Sequence, residues 1–182
     1  AAMVGVAAND ETGTSVSISA DGTIVAMGEP SFDNDNDDNN AGTGRVRVFK
    51  FDGVAWNLHG TNQAVMEGDA AADNTGTSVS ISADGTIVAM GETGVDNGGD
   101  NAGRVRVFKF NGFAWNLHGT VQGAMVGVAA NDQTGTAVSI SSDGDVVSFS
   151  SDNLAKVCGI GKYINDLSSN TLSVTGASTL DS

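Results

Sequence analysis

Cysteine occurs once in this chain of 182 residues, at Cys158, and proline once, at Pro30. One thiol makes no intrachain disulfide and no cysteine-based zinc site. We read Cys158 as a small apolar strand residue, since a reactive thiol wants an electropositive setting and only Lys156 lies near it in sequence. Basic residues are also scarce: 8 Lys+Arg stand against 22 Asp+Glu, a net charge of −14. Binding a phosphate backbone takes clustered Lys and Arg, so nucleic acid is not an expected partner. The cations present, Arg45, Arg47 and Lys50 with Arg104, Arg106 and Lys109, recur on one predicted strand and form no dense patch. No apolar run approaches the roughly 20 residues of a spanning helix, so membrane insertion is not expected. The opening Ala1-Ala2-Met3-Val4-Gly5 lacks the basic and long apolar regions of a secretory signal. With no initiating Met, the chain reads as a processed product or a fragment. No Asn-x-Ser/Thr acceptor for glycosylation is present.

Catalytic signatures are missing too. There is no G-x-S-x-G elbow and no G-x-x-x-x-G-K-[ST] phosphate loop. The two histidines, His59 and His118, stand in no Ser-His-Asp or Cys-His pattern. We therefore expect no enzyme.

Glycine is abundant, with 25 residues, and it punctuates a repeat. Thr12–Glu29, TGTSVSISADGTIVAMGE, returns letter for letter as Thr75–Glu92. GRVRVFKF at 44–51 returns at 103–110, AWNLHGT at 55–61 returns at 114–120, and AMVGVAAND at 2–10 returns at 124–132. A third copy of the first motif, TGTAVSISSDGDVV, spans 134–147, after which the third-strand motif and the Trp are lost. The spacing is near 60 residues, the size of a supersecondary module that buries its core against its neighbours. Each unit reads as four strands, at 14–20, 23–28, 45–51 and 55–59 in the first, with residues two apart sharing a face. Asp21-Gly22 and Asp52-Gly53 are predicted as two-residue hairpin turns. The loop between Gly28 and Arg45 is four residues longer than that between Gly91 and Arg104.

The sum is an all-β chain of consecutive four-stranded antiparallel blades of a partial β-propeller, about two full units plus an incomplete third. The units fall at about 5–67, 68–126 and 127–158. A tail at 159–182 contains LSVTGASTL (172–180), read first as a frayed polar terminus and otherwise as the start of a β-fibre stem. Motifs in the order G-x-S-V-x-I-S-x-D-G-x-x-V-A-x-G-E, G-R-V-R-V-F, a turn, and A-W-x-L-x-G resemble FG-GAP-type repeats, the blades of integrin α-subunit propellers. The resemblance covers about 5–152. It implies a non-enzymatic binding or adhesion module, extracellular or on a cell or virion surface, with a protein or glycan ligand. The Phe-Gly of the family is Thr12-Gly13, Thr75-Gly76 and Thr134-Gly135 here. The family's Asp-rich calcium loop is replaced by Ser19-Ala20-Asp21-Gly22-Thr23 and is not carried over, because one Asp cannot supply the roughly six to eight oxygens calcium takes.

Several residues invite a functional reading beside a plainer one. Asp33, Asp35 and Asp37 have the alternate spacing of the first half of a calcium loop and are the candidate Ca²⁺ ligands; a solvated loop is the plainer reading, because an EF-hand wants Gly where Asp38 stands and Glu where Gly44 stands. Asp10, Asp73 and Asp132 read as turn formers, or as cation or ligand contacts at a propeller rim. His59 and His118 read as strand residues facing solvent or a neighbouring blade, or as a shared metal pair. Trp56 and Trp115 read as blade packing, or as a stacking platform for sugars. Open blade edges invite self-association. Two other functions stay in view, the head piece of a viral or bacterial fibre and a fragment of a propeller enzyme.

Overall fold

A computed structural model describes residues 3, 5, 9–33, 42–61, 66–119 and 125–160. The named elements among them are all strands. The first sheet has the order β1 (Ser15–Ile18), β2 (Ile24–Glu29), β3 (Arg45–Phe51), β4 (Trp56–Leu58). The second repeats it with β5 (Thr75–Ile81), β6 (Ile87–Glu92), β7 (Arg104–Phe110) and β8 (Trp115–Leu117). The third has β9 (Val138–Ile140), β10 (Val146–Ser151) and β11 (Leu154–Gly159). Every pairing between strands of a sheet is antiparallel. The chain is thus all-β, built of consecutive blade-like sheets, as its repeat implies.

The alternation of the strands explains the stacking, since residues two apart share a face. Ile24 and Ala26 of β2 share a face with Val46 and Val48 of β3, Ala26 directly opposite Val48, and this face packs on Val79, Ile81, Val88, Met90 and Phe108 of the second sheet. The other face of the second sheet, with Ile87, Ala89, Val105 and Val107, packs on Ile140, Val147 and Phe149 of the third. Met66 and Met125, from the links between sheets, each close one gap and are fully buried. Trp115 fills the outer part of the first gap; Ile160 belongs to the cluster in the second.

Glycine sets the closest approach. A Cβ on Gly28 would lie 1.9 Å from the Gly76 carbonyl oxygen, and one on Gly91 would lie 1.8 Å from that of Gly135. The same carbonyls accept hydrogen bonds from Ser15 Oγ (2.7 Å) and Ser78 Oγ (2.6 Å). Each gap is therefore both closely approached and pinned by a polar contact at the same place.

Three local expectations change. Ser19 N donates to Ile24 O, so the first hairpin closes on four loop residues, 20–23, rather than on Asp21-Gly22. Asp21 is the organiser of that loop: it accepts from Ser19 Oγ, Thr23 N and Thr23 Oγ1, while Gly22 takes the positive φ of 71°. The next hairpin turns on Gly53-Val54, one residue later than expected, because the Asp52 carboxylate accepts from both Val54 N and Ala55 N. The third unit keeps a third strand although its motif is gone. Asp152-Asn153, both at positive φ (49° and 56°), make the two-residue turn that joins β10 to β11. In β11, Leu154, Lys156 and Cys158 hold the register places of Arg45, Arg47 and Phe49. The fibre-like segment at 172–180 lies outside the described residues.

Candidate functional site

The residues singled out by sequence separate into structural and exposed groups. Asp73 and Asp132 are buried turn formers. Asp73 Oδ2 accepts from Asp69 N (2.8 Å) and Ala70 N (3.0 Å), and Asp132 Oδ2 accepts from Val128 N and Ala129 N at the same distances. Asp10 is buried likewise. His59 faces the neighbouring blade, its ring 4.1 Å from Phe110 and edge-on to Trp115 at 6.1 Å. Burial, with Lys50 nearby, holds its pKa below the ordinary imidazole value; burial and Lys109 do the same to His118. Trp115 is fully buried and donates from Nε1 to His59 O (2.7 Å), which is blade packing. Trp56 holds the same place in the first sheet but is only half-buried, against Phe51 and the Val25, Met27 and Phe49 cluster. Cys158 packs on the second gap, and burial pushes its thiol pKa up.

Of the three candidate calcium ligands, Asp33 is half-buried, while Asp35 and Asp37 lie outside the described residues. Among the described residues no group of three or more His, Cys, Asp or Glu side chains is placed to hold a metal ion. In the matching loop of the second sheet, Asp96 Oδ1 accepts from Asn101 N (2.8 Å), a bond that closes the loop on itself.

The sequence reading missed Glu29 and Glu92. Both are fully buried at the ends of β2 and β6. Each carboxylate is gripped by the two arginines of the facing strand, Arg45 and Arg47 for Glu29, and Arg104 and Arg106 for Glu92. Arg45 Nε reaches Glu29 Oε2 at 2.5 Å and Arg106 Nε reaches Glu92 Oε1 at 2.5 Å. Thr12 and Thr75 add hydroxyl bonds to the same two carboxylates. Arg106 also donates to Glu67 O, and Arg104 to Asp69 (both 2.6 Å), so the clamp ties the sheet to the link that precedes it. Burial pushes the Glu92 carboxyl upward against the pull of Arg106 and Arg104. A signal was available: Gly-Glu closing the second strand and Arg-x-Arg opening the third, repeated together, put one acid opposite two cations in antiparallel register. In the third sheet Ser151 replaces the glutamate, bonded to Thr134 Oγ1 (2.6 Å) and Lys156 Nζ (2.9 Å). These clamps account for the four arginines, which are spent internally, while Lys50 and Lys109 are exposed.

The exposed large apolar side chains include a repeated set. Val54 and Phe113 occupy the tips of the β3–β4 and β7–β8 hairpins, 87% and 69% exposed. Leu58 and Leu117, on the outermost strands, are exposed in the same way. The tips are held firmly: Asp52 and Asn111 side chains each accept from the two backbone N–H groups that follow the turn glycine. Thr61 N donates to Phe113 O (3.2 Å), which ties one hairpin to the next. Exposed apolar residues are ordinary when scattered; here a pair recurs at the matching tips of two hydrogen-bonded hairpins, the outer hairpin ridge.

No helix of the described residues is long and apolar enough to cross a membrane. No family model matches the chain, and no curated protein matches it. Among solved structures it is similar to TolB from Acinetobacter baumannii, with 14% sequence identity and a TM-score of 0.41 over 80% of this chain. The chain spans 29% of the length of that protein.

Proposed function

We propose that the chain is a non-enzymatic binding module that meets its ligand through the outer hairpin ridge. The observation that carries this reading is the presentation of Val54 and Phe113, with Leu58 and Leu117 behind them, at matching places on two adjacent sheets. Rigid apolar anchors of this kind lose little freedom on binding and supply contact area. The charged groups that would offer chemistry instead, Glu29 and Glu92 with their arginines, are largely buried and held by one another. The likeness of the repeats to FG-GAP blades supports adhesion as the use, and an extracellular or surface setting. In that setting Asp33, Asp35 and Asp37 would make the contact cation-assisted.

The test is retention of the full chain on gelatin-coated, phenyl-coated and glycan-coated surfaces, with and without a calcium chelator. Retention on the protein or phenyl surface is expected to fall at least tenfold in Val54→Ser with Phe113→Ser, with Tm unchanged within a few degrees. Retention that survives the double substitution sinks the ridge. Turnover of a glycan or ester panel by the purified chain sinks the non-enzymatic reading.

A further inference from the structure

The two gaps between sheets are built from the same parts, and the two outer faces of the stack can be judged against them. In each gap the leading sheet presents a serine paired with a glycine, Ser15 with Gly28 and Ser78 with Gly91. The serine hydroxyl donates to the carbonyl of Gly76 or Gly135 in the following sheet, and the bare glycine makes room for that carbonyl. A second serine on the same face, Ser17 or Ser80, accepts from the edge amide of Ile81 (3.1 Å) or Ile140 (3.0 Å). The following sheet answers with an apolar patch headed by Val79 and Ile81 in one gap and by Val138 and Ile140 in the other.

The outer face of the first sheet is the answering half of such a gap. Val16 and Ile18 hold the places of Val79 and Ile81, yet they are 63% and 57% exposed, against 8% and 7% for their counterparts. Trp56 is half-buried where Trp115 is sealed. No sheet covers this face among the described residues.

The outer face of the third sheet differs. At the serine–glycine pair it carries Ala137 and Ser150. Ala137 has no hydroxyl to donate. Ser150 has the Cβ that the close approach forbids, and its hydroxyl turns inward to accept from Ala137 N (2.9 Å). A carbonyl arriving as those of Gly76 and Gly135 do would fall within 2 Å of a Cβ at this place. Ser148 stands where Ala26 and Ala89 are apolar, while Ser139 keeps the second serine, and Val146, Ala155 and Val157 complete the face.

We infer that the stack is directional: the first sheet's outer face, Val16, Ile18 and Trp56, is a docking face for one more sheet carrying the serine–glycine pair and a second serine two residues on, and the third sheet's outer face is closed to such a sheet by Ser150 and Ala137. A second copy of the chain does not supply that sheet. Its own serine–glycine faces are already covered, its third sheet is closed, and a charge of −14 on each copy opposes association.

The test joins a copy of residues 66–125, a complete sheet with its link, to the full chain, either ahead of Ala1 or behind Ser182. Joined ahead, it is expected to raise Tm and to slow hydrogen exchange of the Ile18 amide at least a hundredfold, because Ser80 of the copy accepts from that amide. Joined behind, it is expected to leave Tm of the parent part unchanged, and to raise it once Ala137→Ser and Ser150→Gly restore the pair. Equal stabilisation from both unmodified fusions, with Ile18 exchange unslowed in the backward one, overturns the proposal, as does unchanged Ile18 exchange in the forward fusion. A parent chain that is dimeric at micromolar concentration, with Ile18 already protected, overturns it too, since a second copy would then hold the face. The forward–backward comparison stands on its own if the doubly substituted chain does not fold.

Discussion

Asp21 shows how much of this molecule rests on single short side chains. Its carboxylate takes bonds from Ser19 Oγ, Thr23 N and Thr23 Oγ1, and the Ser19 bond first, then those from Thr23, bring its pKa from an ordinary 3.8 to about 2. A carboxylate depressed in the folded state stabilises above its unfolded value and loses that contribution as pH falls through the folded one. The stability difference between the parent chain and Asp21→Asn should therefore be constant above about pH 5 and shrink between 3.8 and about 2. Thermal melts at pH 6, 4, 3 and 2 measure it, and a difference undiminished at pH 2 contradicts the assignment. The composition of this loop was readable in sequence, because Asp and Gly name a turn. Its length was not, because Ser19 Oγ also bonds Ile24 N and so moves the closing pair outward. Glu29 and Glu92 were equally visible as letters. Their burial was not, since acids are almost never fully buried unless paired, and the pairing exists only once β2 and β3 are in register.

At the scale of the element, the sheets are interlocked by absent atoms as much as by present ones. Gly91→Ala would place a methyl 1.8 Å from the Gly135 carbonyl oxygen, which is backbone and cannot swing aside. Overpacking of this kind costs about 1–3 kcal/mol, so the urea midpoint should fall clearly. An unchanged midpoint would mean the second gap is looser than described. Strand identity was the most legible layer of all. The alternation in TSVSISA and RVRVFKF places β1 and β3, and the two-residue period assigns their faces correctly. The third strand of the last sheet escaped notice because LAKVCG matches RVRVFKF, place for place, only at Val157.

The whole molecule is a short array whose middle sheet is covered on both faces, and protection should follow that order. Amides of Val88 and Met90 on β6 are expected to exchange most slowly, those of β1 fastest among the strands. Hydrogen exchange followed by mass spectrometry reads this directly, and uniform protection across the three sheets would mean that the array unfolds only as one unit. The repeat period announced the array. Which outer face is open was hidden in two small substitutions, Ala137 for serine and Ser150 for glycine, whose meaning depends on contacts about 60 residues away in sequence.

One difference between the units left no mark on the sheets. The β2–β3 connection is four residues longer than the β6–β7 connection, yet Glu29 faces Arg45 and Glu92 faces Arg104 in the same register. Lengthening a loop adds only about 0.6 kcal/mol per doubling, and here the clamp beneath it absorbs the change. The connection above each glutamate thus behaves as a socket: the scaffold below dictates where the chain leaves and returns and is indifferent to what is carried between. A lineage built on this unit can trade one surface for another by insertion alone, without renegotiating its core.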